Sequence, residues 1–86
     1  MSEYSVVFAR SARRELELLD AAIVNRIFPR IESLSRRPRP SNCVKLQGTR
    51  NLWRIRIGSY RVIYAIDDDN KLIDIVAVRH RRDAYR

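Results

Sequence analysis

The segment Leu52 to Ile66, LWRIRIGSYRVIYAI, constrains the fold of this chain more than any other. Trp53, Ile55 and Ile57 alternate with Arg54 and Arg56. After Gly58-Ser59, Tyr60, Val62, Tyr64 and Ile66 alternate with Arg61 and further residues. A period of two puts successive side chains on opposite faces of a strand, so the segment reads as a β-hairpin. One face is apolar and must be buried. The other gathers the arginines. A two-residue turn at Gly58-Ser59 sets Ile57 opposite Tyr60 and Arg56 opposite Arg61. Like charges directly opposite each other destabilise a sheet. An anion held between them explains why a fold would place them there.

The flanking sequence supplies the cover for the apolar face. Tyr4 to Ala9 alternates and reads as a first strand. Ser11 is positioned to cap a helix whose stripe is Ala12, Leu16 and Leu19, with Arg13, Arg14 and Glu17 facing away. Arg14 stands where a capping box would need Glu. Asp20 is positioned to cap a second helix with the stripe Ile23, Ile27, Ile31 and Leu34, widened by Val24 and Phe28. Pro29 falls inside that stripe and predicts a kink, because the period continues beyond it. Arg36 to Pro40, RRPRP, ends the helix. Val44 to Leu46 reads as a short strand before a turn at Gly48. Asp67 to Lys71 reads as a polar turn. Leu72 to Val78 is nearly continuous in apolar residues, which suits a central strand. Arg79 to Arg86 reads as a basic tail.

Strand, two helices and then three or four strands indicate an α+β fold. The expected architecture is an N-terminal strand and two-helix hairpin packed on one face of a mainly antiparallel four-stranded sheet. Trp53, Ile55, Val62, Tyr64, Leu16, Leu19, Ile23 and Ile27 are expected in one core. Eighty-six residues without a linker or repeat make one domain spanning 1–86.

Charge narrows the function. The net charge is +8, and of 18 basic residues 16 are Arg and 2 are Lys. Guanidinium groups grip phosphate bidentately and stack on bases. A small chain this basic points to nucleic acid or an acidic protein partner. Cys43 is a lone cysteine and His80 a lone histidine, which leaves no cysteine metal cluster and no expected metal or cofactor. The Asp67-Asp68-Asp69-Asn70 run lacks the Gly and Glu of a calcium loop. No apolar stretch approaches a membrane span, and no signal peptide is apparent, so a cytoplasmic protein without membrane contact is expected. Gly-rich phosphate loops and hydrolase motifs are absent.

The chemistry-bearing residues form two groups. Arg54, Arg56 and Arg61 share a sheet face near one turn. Arg79, His80, Arg81, Arg82 and Tyr85 follow the last strand, which brings them to the same cleft if that strand lies beside the hairpin. Arginines can hold a phosphate and stabilise charge that develops on it. Tyr85 offers a ring on which a base can stack. His80 alone has an ordinary pKa suited to proton transfer near neutrality. Such parts can cleave RNA through its own 2′-hydroxyl. Arg10, Arg13, Arg14, Arg26 and Arg30 read as helix surface.

The chain resembles the RelE/ParE superfamily of bacterial toxins, and more closely its RelE branch. The resemblance spans nearly the whole chain. It is carried by Lys45-Leu46-Gln47-Gly48, by the hairpin from Trp53 to Tyr64 and by the end His80-Arg81-Arg82-Asp83-Ala84-Tyr85. It implies a toxin that enters the ribosomal A site and cuts mRNA by 2′-hydroxyl attack, leaving a 2′,3′-cyclic phosphate. It also implies a cognate antitoxin that wraps the toxin, acidic by charge complementarity. Catalytic positions of the family fall on Arg54 and Arg56. Arg61 falls where the scissile phosphate is held, Arg81 where a phosphate ligand or proton donor stands, and Tyr85 where a base is stacked. Lys45, Arg79 and Arg82 are expected to bind RNA. The best-understood members carry lysines at the positions of Arg54 and Arg56. An arginine effectively cannot lose its proton, so either His80 takes part of the base role or the ribosome orients the 2′-hydroxyl without a strong base. Two other readings are a ParE-like inhibitor of DNA gyrase and a non-catalytic nucleic-acid-binding module. Salt-sensitive binding without cleavage would mark the latter.

Overall fold

The computed structural model describes residues 3–48 and 51–82. The element order is β1 (Ser5–Phe8), α1 (Arg10–Glu17), α2 (Ala21–Ser33), β2 (Cys43–Lys45), β3 (Leu52–Ile57), β4 (Tyr60–Asp67) and β5 (Leu72–His80). The strands form one sheet in the order β1-β5-β4-β3-β2. β1 pairs parallel to β5, and every other pairing is antiparallel. The α+β class is as expected. The sheet has five strands where four were expected, because β1 joins it as an edge and the short β2 closes the other edge.

The apolar face forms as the alternation dictates. Ile55, Ile57, Val62, Tyr64, Ile66, Ile73, Ile75 and Val78 from the sheet pack with Ala12, Ile27, Ile31 and Leu34 from the helical segments. Trp53, Leu16, Leu19 and Ile23 border this core and are only partly buried. Pro29 lies within α2 without ending it.

One helix start differs from expectation, and the other helix starts as expected without its side-chain cap. α1 begins two residues earlier, with Ala9 at its N-cap and no side-chain cap. Ser11 instead turns its hydroxyl to the Val76 carbonyl, donating at 3.2 Å. Asp20 is the N-cap of α2, but its carboxylate makes no capping bond; its carbonyl receives Ile23 N–H and Val24 N–H, each at 3.0 Å. β2 starts and ends one residue earlier than the sequence suggested, and β5 runs two residues further.

β5 explains its own unbroken apolar run. Ile63 pairs with Ala77 while Tyr64 pairs with Ile75, so Val76 is an extra residue in the ladder. Such a bulge inverts the side-chain parity beyond it. Ile73 and Ile75 face the helices before the bulge, and Val78 faces them after it. With Val76 in regular alternation instead of bulged, Arg79 would enter the core side in place of Val78.

The loop after α2 is fastened to the far turn of the sheet. Arg39 donates to both carboxylate oxygens of Asp68, Nη2 at 2.9 Å and Nη1 at 3.3 Å. Its guanidinium also lies 5.0 Å from the centre of the Trp53 ring. Tyr4 Oη donates to the same carboxylate at 2.5 Å, and Tyr64 Oη to the Pro38 carbonyl at 2.7 Å. Arg39 foremost, and then Tyr4, hold the Asp68 carboxyl down at about 2. Burial pushes the Tyr64 phenol up. The sign for Asp68 follows from linkage: a depressed folded pKa contributes stability above the ordinary 3.8, lost as pH falls toward 2. Asp68→Asn is therefore expected to lower Tm near neutrality by a small amount and to flatten the acid limb between those two values. Thermal unfolding at stepped pH reads both effects, and equal acid limbs would assign the contacts no stabilising role.

Candidate anion-binding cleft

Three strands bring arginines side by side on the sheet face opposite the helices. Arg56 on β3 pairs directly with Arg61 on β4, which pairs directly with Arg79 on β5. The register follows from the turn. Gly58 has φ of +61° and Ser59 keeps a negative φ, which is the requirement of a type II′ hairpin. Glycine meets that φ without strain. Ile57 then faces Tyr60, and Arg56 faces Arg61, as the alternation predicts.

Arg61 is 4% exposed, the sole buried charged side chain among the described residues. It opens with Arg56, Gly58, Arg81 and Arg82 onto a cleft of about 490 Å³. Arg81 is held there by the main chain, since its N–H donates to the Ser59 carbonyl at 2.7 Å. That bond ties the segment after β5 to the hairpin turn. Four guanidinium groups therefore face one cleft, and among the described residues no carboxylate lines it. In a site partly shielded from water such groups favour an anion strongly.

Arg79 belongs to the same row, but its charge is already matched. Its Nε donates to Glu15 Oε2 at 3.2 Å. The other oxygen of Glu15 receives the Val78 N–H at 2.8 Å. The reason is local. β1 covers the edge of β5 only as far as Ile75, and the chain then leaves the sheet to become α1. Glu15, one turn and more into α1, supplies the acceptor that a longer β1 would have supplied. Buried N–H groups left without an acceptor cost free energy.

The expected site residues separate accordingly. Arg56, Arg61, Arg81 and Arg82 come together. Arg54 shares their face, two residues along β3, half-buried and outside the cleft wall. Arg79 is turned to Glu15. Lys45 pairs with Trp53, which by parity puts it on the helix side of β2, away from the cleft. His80 pairs with Tyr60, and their rings meet edge to face at 5.2 Å. The bulge at Val76 sends His80 to the helix side, so it does not reach the cleft. Its Nδ1 accepts the Arg82 N–H at 3.3 Å and so steadies the arginine from behind. Tyr85 lies outside the described residues.

Two residues that sequence reasoning passed over adjoin the site. Glu15 is one, and no local signal ties it to a strand edge more than sixty residues away. Arg26 is the other. A methyl group built on Gly58 would stand 3.6 Å from Arg26 Nη1, so this guanidinium lies against the hairpin turn.

Known proteins resemble this chain over nearly its full length. Residues 6–85 match the family model described as the ParE toxin of type II toxin–antitoxin system, parDE. Toxin RelG of Mycobacterium tuberculosis is 36% identical, over 96% of this chain and 97% of its own length. Among solved structures, the RelBE2 toxin–antitoxin complex of Mycobacterium tuberculosis aligns with a TM-score of 0.81 at 32% identity, covering 92% of this chain and 99% of that one. The archaeal RelE–RelB complex of Pyrococcus horikoshii gives 0.81 at 31% identity, covering 92% and 96%.

The role of Glu15 has a direct test. Glu15→Ala leaves the Val78 N–H and the Arg79 guanidinium without their acceptor and is expected to cost about 1–3 kcal/mol in denaturant unfolding. Glu15→Gln keeps an oxygen for Val78 and should recover much of the loss. Amide exchange at Val78 should quicken in the alanine variant; unchanged protection there would contradict the assignment.

Proposed function

The chain belongs to the RelE/ParE superfamily, the toxins of type II toxin–antitoxin systems, and we propose that it is a ribosome-dependent endoribonuclease that cuts mRNA in the A site. The observation that carries this reading is the directly opposed pair Arg56 and Arg61, enclosed with Arg81 and Arg82 over one turn.

Such a cleft suits attack of an RNA 2′-hydroxyl on its own 3′-phosphate. The 2′-oxygen bonds to phosphorus, the 5′-oxygen of the next nucleotide leaves, and a 2′,3′-cyclic phosphate results. Negative charge grows on the non-bridging oxygens during attack. Arg61, fixed by burial, holds the phosphate, and Arg56 and Arg81 complete its shell. Fixed guanidinium groups favour that charge without having to reorganise. Arg81, at the exposed rim, donates a hydrogen bond to the leaving 5′-oxygen, which takes its proton from water. Arg54 extends the positive face for neighbouring nucleotides, and Tyr85 is assigned to stack on a base.

Arginine is a poor proton acceptor, and no carboxylate or imidazole among the described residues lines the cleft. His80 serves as a positioning residue for Arg82 and not as the base, because it stands on the reverse face. The 2′-hydroxyl proton therefore passes to water or to the ribosome, which orients the codon. That dependence fits an enzyme whose own residues provide charge and geometry alone, with no metal or cofactor. By the same reading the protein works in the cytoplasm and is held inactive by a cognate acidic antitoxin. The related structures hold a RelB partner.

Primer extension on a defined mRNA in a bacterial translation extract tests the proposal. The wild type is expected to cut at codon-spaced positions only when ribosomes are present. Arg81→Ala, an exposed change, should reduce cutting by roughly 10²–10³-fold with Tm unchanged. Intact mRNA with the wild type would sink the nuclease. The ParE description of the matching family model then makes gyrase supercoiling the next assay.

A further inference from the structure

Beyond the cleft, the positive surface continues over the hairpin turn onto α2. Arg26 is exposed, and its guanidinium rests against Gly58, a residue that also lines the cleft. Among the described residues it has no ion-pair partner and makes no side-chain hydrogen bond, unlike Arg39 and Arg79, whose carboxylates are nearby. Its five N–H donors are thus available to an outside acceptor. Arg30 follows one helical turn later on the same flank and is likewise exposed. An anion lying between the cleft and Arg26 is attracted by both.

Gly58 makes the approach possible. No side chain at Gly58 stands between the cleft and the Arg26 guanidinium, whose Nη1 would lie 3.6 Å from a Cβ there. We propose that Arg26 grips the phosphate next to the scissile one, on the arm of the single-stranded RNA that leaves the cleft across the Gly58-Ser59 turn toward α2. This deepens the proposed function by assigning a path to the substrate strand, and it rests on that reading. Arg26 acts as a substrate-binding residue, remote from the reacting atoms.

The test uses a short single-stranded RNA made uncleavable by 2′-O-methyl groups, with affinity measured across a salt series. Arg26→Ala is expected to weaken binding by roughly tenfold at low salt and to reduce the log–log salt slope by about one. Arg26→Lys should recover most of the affinity, since a phosphate accepts a point charge. Replacing one linkage beside the scissile position by a neutral methylphosphonate should weaken the wild type and leave Arg26→Ala indifferent. Unchanged affinity and slope in Arg26→Ala, with its Tm at the wild-type value, would overturn the inference. Equal sensitivity of both proteins to every neutral linkage would overturn it too, because Arg26 would then face a different RNA. Absence of any RNA binding by the wild type would do the same. Failure of the nuclease reading shows separately, as intact mRNA in the ribosome assay alongside Arg26-dependent binding here.

Discussion

The register of one hairpin governs both halves of this molecule. With Gly58 at a positive φ, the turn closes in two residues and Arg56 must oppose Arg61. The same register delivers Ile55, Ile57, Val62 and Tyr64 to the core. A slip of one residue would exchange the faces, burying arginines under the helices and exposing isoleucines. Burial of the apolar face therefore enforces the repulsive pair on the other. Hydrophobic burial of this size outweighs the modest cost of like charges near a surface.

The rest of the fold keeps that charged row in place and limits its cost. Glu15 matches the outermost arginine, Arg79, and at the same time closes the edge that β1 leaves open. Arg81 is held to the turn by its own backbone N–H, and Arg82 by His80. At the opposite end, Arg39 and Tyr4 converge on Asp68, so the proline-rich loop after α2 stays on the sheet. Fixing the cleft through main-chain and buried contacts leaves Arg56, Arg81 and Arg82 able to meet a substrate.

The hairpin, its turn and the sharing of a face by Arg56 and Arg61 were legible because they are local: alternation and a glycine suffice. The helices were legible from their stripes, and Asp20 marked the start of α2; the start of α1 was not legible, since Ser11 found a better acceptor in Val76 O across the structure. The faces of His80 and Arg79 were not legible. Each depends on the extra residue Val76, and an apolar run of Ile75-Val76-Ala77-Val78 gives no sign of which residue bulges. The face of Lys45 was not legible either, because it follows from pairing with Trp53 and not from its neighbours. The parallel pairing of β1 with β5, and with it the office of Glu15, joins segments some sixty residues apart and leaves no short-range trace. Arg26 reads as ordinary helix surface until the packing of α2 brings it to Gly58.

An anion bound between Arg56 and Arg61 should offset the repulsion that their register imposes. Denaturant unfolding of the wild type and Arg56→Gln, each with and without inorganic phosphate at constant ionic strength, measures this directly. Arg56→Gln is expected to be the more stable protein without phosphate, and phosphate to stabilise the wild type preferentially and narrow the gap. An Arg56→Gln protein that is less stable without phosphate, or an equal response of both proteins to phosphate, would contradict it.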